Sequence, residues 1–186
     1  MSKRITRILA VSGSLRAVSY NSAALRAARH LAPAACVVHV YQGLGELPLF
    51  NPDHDAAAPA AVEEWRAQLR AADALLIASP EYAHGISGVL KNALDWAVSM
   101  PDFPGKPVAL LNTSPRASHA QAALREVLTT MSARLVPAAS IDLPLQGSGY
   151  DTGAILADLA LSQQLSDALL ALLIEIDDTP GAHAKL

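Results

Sequence analysis

Residues 12–22 read SGSLRAVSYNS. Within eleven positions lie one glycine, one arginine, one asparagine and four serines. Gly13 permits a turn that a side chain would hinder. Ser14, Ser19, Asn21 and Ser22 offer short hydrogen-bonding side chains, and Arg16 offers a planar permanent cation that forks onto phosphate. An apolar run, ITRILAV, precedes this stretch, and an Ala/Leu/Arg pattern at helical spacing follows it. A strand therefore feeds a helix here, and the first N–H groups of that helix point into the same space as the side chains. The combination makes an anion site at a helix N-terminus. Ser19 or Asn21 taken alone would serve as an ordinary helix cap. G-x-G-x-x-G and Gly-Lys-Ser/Thr are both absent, so neither a dinucleotide fingerprint nor a triphosphate loop is present. A phosphomonoester is the ligand these residues suit.

A second loaded turn runs from Ser79, SPEYAHGISGVLKNALDW. Pro80 ends an apolar strand. Glu81 puts a carboxylate at the strand's C-terminal end, Tyr82 offers a wall for a flat ring, and Gly85 and Gly88 let backbone approach a ligand closely. The Ala83–Gly85 backbone could bond the edge of a planar heterocycle. Leu90, Leu94 and Trp96 fit a helix core, and Lys91 and Asp95, one turn apart, suit a surface pair. A third turn, NTSPRASHA (112–120), contributes Ser114, Arg116 and His119.

Positioning these turns requires strands. Five apolar runs read as strands: 5–13, 36–42, 73–80, 107–114 and 133–143. Several are continuously apolar, as strands buried on both faces of a parallel sheet must be. Helix-patterned segments fall between and after them at 22–31, 58–71, 87–98, 117–133 and 152–176. Alternating strands and helices give an α/β fold, a three-layer sandwich. Five units fit the flavodoxin-like strand order 2-1-3-4-5, in which a ligand sits at the C-terminal strand ends between strands one and three. One domain, 1–176, is expected, with 177–186 a flexible tail.

The 186 residues carry a net charge of −3 and only 17% charged residues, with no basic run. Nucleic-acid binding is therefore not expected. No apolar segment is read as long enough for a membrane span, the short basic-apolar start is read as strand one rather than a leader, and a cytoplasmic protein is expected. Cys36 is the only cysteine; it is read as a core residue. The scattered histidines give no metal-ligand spacing.

GSLRAVSYN and PEYAHGISGVLKNALDW together resemble the NADPH-dependent FMN reductase family, with its quinone and chromate reductase members. LPLFNPD (47–53) resembles the same family's segment after strand two, and the likeness spans roughly residues 8–115. The resemblance implies FMN as cofactor, with Ser14, Arg16, Ser19, Asn21 and Ser22 about its phosphate. Pro80, Glu81, Tyr82, Ala83, His84, Gly85 and Ser114 would flank the rest of the flavin. Family members carry a glycine-rich turn where this chain has Arg116, Ser118 and His119. That departure brings Arg116 or His119 toward the ring edge or the NADPH phosphate as substrate-binding candidates. The resemblance further implies hydride transfer from NADPH or NADH to FMN. A quinone, free flavin or oxyanion such as chromate would then accept it in a ping-pong cycle. A homodimer or homotetramer is implied, with the 43–59 loop and the 87–98 helix as interface candidates; Leu47, Leu49 and Phe50 equally suit a packed surface loop. The alternative is a non-catalytic FMN carrier or sensor. A nucleophilic hydrolase is disfavoured because Ser14 stands where a G-x-S-x-G elbow around Ser12 needs glycine.

Overall fold

The computed structural model describes residues 4–34, 36–114, 116 and 118–177. The expected tail beyond Asp177 lies outside the described residues, as do Pro115 and Ala117 in the third turn.

The central strands are β1 (Thr6–Ser12), β2 (Cys36–Val40), β3 (Ala74–Ala78) and β6 (Pro107–Asn112). A two-stranded hairpin, β4 (Glu81–Tyr82) and β5 (Gly85–Ile86), intervenes outside the sheet. The main sheet is parallel in the order β2-β1-β3-β6-β7, with β8 also paired to β6. This is the expected winding with one correction. The fifth strand is two short pieces, β7 (Arg134–Leu135) and β8 (Ile141–Asp142), separated by a tight turn at Pro137–Ala139. Pro137 has no N–H to give a ladder. Ser140 repairs the gap: its Oγ accepts from Leu110 N at 3.1 Å and donates to Val136 O at 2.9 Å.

Strand side chains alternate between two buried layers, as a sheet covered on both faces requires. Ile8, Ala10, Leu76, Ala78, Ala109 and Leu111 pack under α1 (Tyr20–His30), α5 (Thr152–Ala157) and α6 (Leu159–Asp177). Leu9, Val11, Leu75, Ile77, Val108 and Leu110 pack under α2 (Ala60–Ala71), α3 (Gly88–Asp95) and α4 (Ser118–Thr130). The expected 152–176 helix is thus two helices. Asp158 ends α5 and its carboxylate takes the N–H groups of Ala160 and Leu161, starting α6 afresh. Among the described residues α6 is the one helix long and apolar enough to cross a membrane, contrary to the expectation that no segment would be. Leu165, Leu169 and Leu172 on one face are buried against the sheet, while Leu159, Leu170 and Ile174 are exposed.

Cys36 is buried at the start of β2, as expected. Burial, helped by the charge of Asp73, pushes its thiol pKa up to about 11.

Candidate functional site

The C-terminal ends of β1, β3 and β6 open into one cleft of about 390 Å³. Ser14, Arg16, Ser19, Asn21, Pro80, Glu81, Tyr82, Ser114 and Arg116, all foreseen from the sequence, line it. Ser22, Ala83, His84, Gly85 and His119 stand outside that lining. Val18, Tyr20, Thr113 and Gln146 line it and were not foreseen. Thr113 follows a strand end, which is a usable signal. Gln146 is brought in only by the fold: Leu145 N and Gln146 N both donate to Thr113 O at 3.2 Å.

Loop one is built around Gly13. Its N–H donates to Ala78 O at 2.8 Å, holding the loop against β3. A Cβ at Gly13 would lie 2.8 Å from Ser79 Oγ and 2.9 Å from Ser87 Oγ, so a side chain there would force both serines to shift. A Cβ at Gly85 or Gly88 meets no such crowding, so of these three glycines it is Gly13 that the close approach requires. Ser19 caps α1 with its Oγ accepting from Ser22 N at 3.3 Å. The cap leaves earlier N–H groups of the first turn free of intrahelical partners, and Ser19, Tyr20 and Asn21 line the cleft there. No acid sits in that turn to compete for them. Asn21 is buried and accepts from Thr113 Oγ1 at 3.0 Å, tying loop one to the loop after β6. Ser22 turns inward instead, its Oγ 2.8 Å from Ser12 Oγ. Arg16 is exposed, and among the described residues its guanidinium forms no ion pair or hydrogen bond. Positive charge, free amides and small hydroxyls therefore converge on one end of the cleft.

The β4–β5 hairpin supplies the second wall. Tyr82 is half exposed at its edge. The two turn residues, Ala83 and His84, have φ of 48° and 59°. Such a tight hairpin turn needs positive φ at both central positions, and each non-glycine residue there costs about 1 kcal/mol. The Glu81 carboxylate does not stand free. Its Oε2 accepts from Ala120 N at 2.9 Å, capping α4 from another element. His84 and His119 stack with ring centroids 4.4 Å apart and planes 12° apart. The third wall is stitched by Ser114, whose Oγ pairs with Gln146 Oε1 and whose N–H donates to Asn112 Oδ1 at 3.1 Å.

Much of the LKNALDW stretch serves the scaffold. Asn92 Oδ1 accepts from Phe50 N at 2.8 Å and its Nδ2 donates to Pro48 O at 2.9 Å. Trp96 Nε1 donates to the same Pro48 O at 2.8 Å, and Lys91 pairs with Asp95 at 2.6 Å. Buried Arg66 holds Trp96 O, Asp55 and Ser99, and lies 5.8 Å over the Trp96 ring. These bonds clamp the loop at 43–59 onto α2 and α3. The Asp55 carboxyl is held below its ordinary pKa by hydrogen bonds from Arg66 and then Ser99.

A doubly wound parallel sheet with an anion cradle and a flat-walled cleft at its switch point defines a mononucleotide-binding α/β protein. The chain belongs to the NADPH-dependent FMN reductase family, whose model matches residues 6–146. An NAD(P)H-dependent FMN reductase of Pseudomonas aeruginosa is 41% identical over 172 residues, covering 88% of this chain and 92% of that one. A quinone reductase of Escherichia coli is 34% identical over 143 residues, covering 73% and 76%. Among solved structures, the flavoenzyme NAD(P)H:(acceptor) oxidoreductase FerB of Paracoccus denitrificans superposes with a TM-score of 0.76 at 27% identity, covering 93% and 98%.

Proposed function

We propose that this chain is an FMN-dependent oxidoreductase that takes a hydride from NAD(P)H and delivers electrons to a quinone, free flavin or similar small acceptor. The observation that carries this reading is the unpaired Arg16 beside the open first turn of α1, at one end of a cleft walled by Pro80, Glu81 and Tyr82. These residues fit FMN. Ser14, Arg16, Ser19 and the Tyr20–Asn21 backbone suit a phosphomonoester, and Tyr82 and the hairpin suit a ring. When bound, the flavin supplies the two-electron chemistry and the protein supplies placement.

The chain's own part is binding and orientation. Arg16 neutralises the phosphate. Asn21, locked by Thr113, fixes loop one relative to the loop after β6. Tyr82 would wall one side of the ring, and N–H groups near the ring edge would favour negative charge there. Arg116, exposed on the rim, suits the 2′-phosphate of NADPH. Leu49 is 86% exposed on a loop whose inner residues Leu44 and Leu47 are buried. Together with exposed Val98 just beyond α3 it offers an apolar face for a second copy, in a homodimer or homotetramer.

Anaerobic titration of the FMN-loaded protein with NADPH tests the reading. The flavin's visible absorbance is expected to bleach and to return when a quinone is added. Flavin that binds but stays oxidised with both NADPH and NADH would make the chain a carrier instead. Replacing Arg116 by alanine is expected to raise KM for NADPH more than for NADH; an unchanged ratio removes that contact.

A further inference from the structure

The hairpin that walls the cleft is fixed to α4 at two points, and only one is a hydrogen bond. Glu81 holds the hairpin's base through Ala120 N. At the tip, His84 sits in a left-handed conformation that is uncommon outside glycine, and its ring lies flat on His119 in the first turn of α4. Neither imidazole lines the cleft, whereas Glu81 and Tyr82, on the same hairpin, do.

We propose that His119 is a positioning residue: its ring, stacked on His84, holds the 83–84 turn in the left-handed form that sets the hairpin against the cleft. Two flat exposed rings at 4.4 Å gain from contact area and offset stacking, and the gain is available only while the turn keeps positive φ. The stack therefore offsets the strain of a turn built without glycine or asparagine. The role in ligand binding rests on the flavin reading given above; the role in hairpin order does not.

Hydrogen exchange on the ligand-free protein, with flavin titrations alongside, tests both. In His119→Ala the amides of residues 81–86 are expected to exchange about 2- to 10-fold faster, the factor an aromatic pair provides. His119→Phe, which keeps a flat ring, is expected to restore the slow rate. His84→Ala combined with His119→Ala is expected to exchange no faster than either alone. Apoprotein titrated with FMN and with riboflavin, which lacks the phosphate, is expected to lose affinity for both by the same factor in His119→Ala. Arg16→Ala is expected to weaken FMN alone. Unchanged exchange in His119→Ala overturns the proposal, as does an additive double variant. Wild-type flavin affinities in His119→Ala overturn the positioning role toward the ligand. Wild-type protein that binds neither flavin overturns the reading of the cleft, and exchange then decides for the hairpin by itself.

Discussion

On the α3 side of the sheet's C-terminal edge, Asn92, Trp96 and Arg66 commit their polar atoms to neighbouring backbone and side chains. On the α1 side, Arg16 has no partner among the described residues and the first turn of α1 keeps open amides. Both stretches carry the polar residues that drew attention in the sequence. One has been turned into scaffold and the other left available. The difference teaches that a polar motif marks a site only where its hydrogen-bonding capacity is unspent inside the fold.

Breaking the scaffold side should cost stability and leave binding chemistry intact. Arg66→Ala strands a buried Trp96 carbonyl and leaves the Asp55 carboxylate with Ser99 alone, and is expected to destabilise by about 3 kcal/mol. Thermal unfolding should then drop by roughly 6–12 °C; a drop under about 2 °C would mean the clamp is not needed. Breaking the site side should do the reverse. Arg16→Ala is expected to weaken FMN binding by about 10- to 100-fold, measured by fluorescence titration, with stability unchanged to within about 0.5 kcal/mol. Equal losses in both assays would erase the contrast. Asn92→Ala orphans Phe50 N and leaves Pro48 O with Trp96 Nε1 alone, and is expected to cost about 1–2 kcal/mol in a urea titration, again with FMN affinity kept in the folded fraction.

The smallest effect is in pH. Asp55 has its pKa lowered in the fold, so the stability it contributes is present above its unfolded value, about 3.9. That stability is lost as pH falls through the folded value. Acid unfolding of Arg66→Ala, followed by circular dichroism, should lack that component and be shallower below about pH 4. A wild-type slope there would show that Asp55 and Arg66 are not linked.

The winding of the sheet was legible because β1, β3 and β6 are apolar throughout and separated by helix-period segments. The split of the fifth strand was legible only in retrospect, from Pro137 and the compensating Ser140. Loop one was the clearest site signal, since Ser14, Arg16 and Ser19 fall between a strand and a helix, and Asn21 and Ser22 open that helix. Gln146 could not be foreseen, because only tertiary hydrogen bonds to Thr113 carry it to the cleft. Glu81 was read as facing the ligand, and it does line the cleft. Its carboxylate is nevertheless engaged by Ala120, a pairing across 39 residues that no local pattern announces. Ala83 and His84 hid a hairpin, because the turn lacks the Asn-Gly signal that usually marks one.

Cys36 closes with a practical consequence. A single thiol, buried at the head of β2 and carrying a pKa pushed up to about 11, is almost wholly protonated at neutral pH. It is therefore a poor nucleophile in the folded chain. Electrophilic acceptors that alkylate ordinary cysteines would find nothing to attack until the β2 edge opens. A maleimide or iodoacetamide dye added to the folded chain thus reads out one event, exposure of that edge. The chain carries its own clock for unfolding, one label per molecule, without an engineered probe.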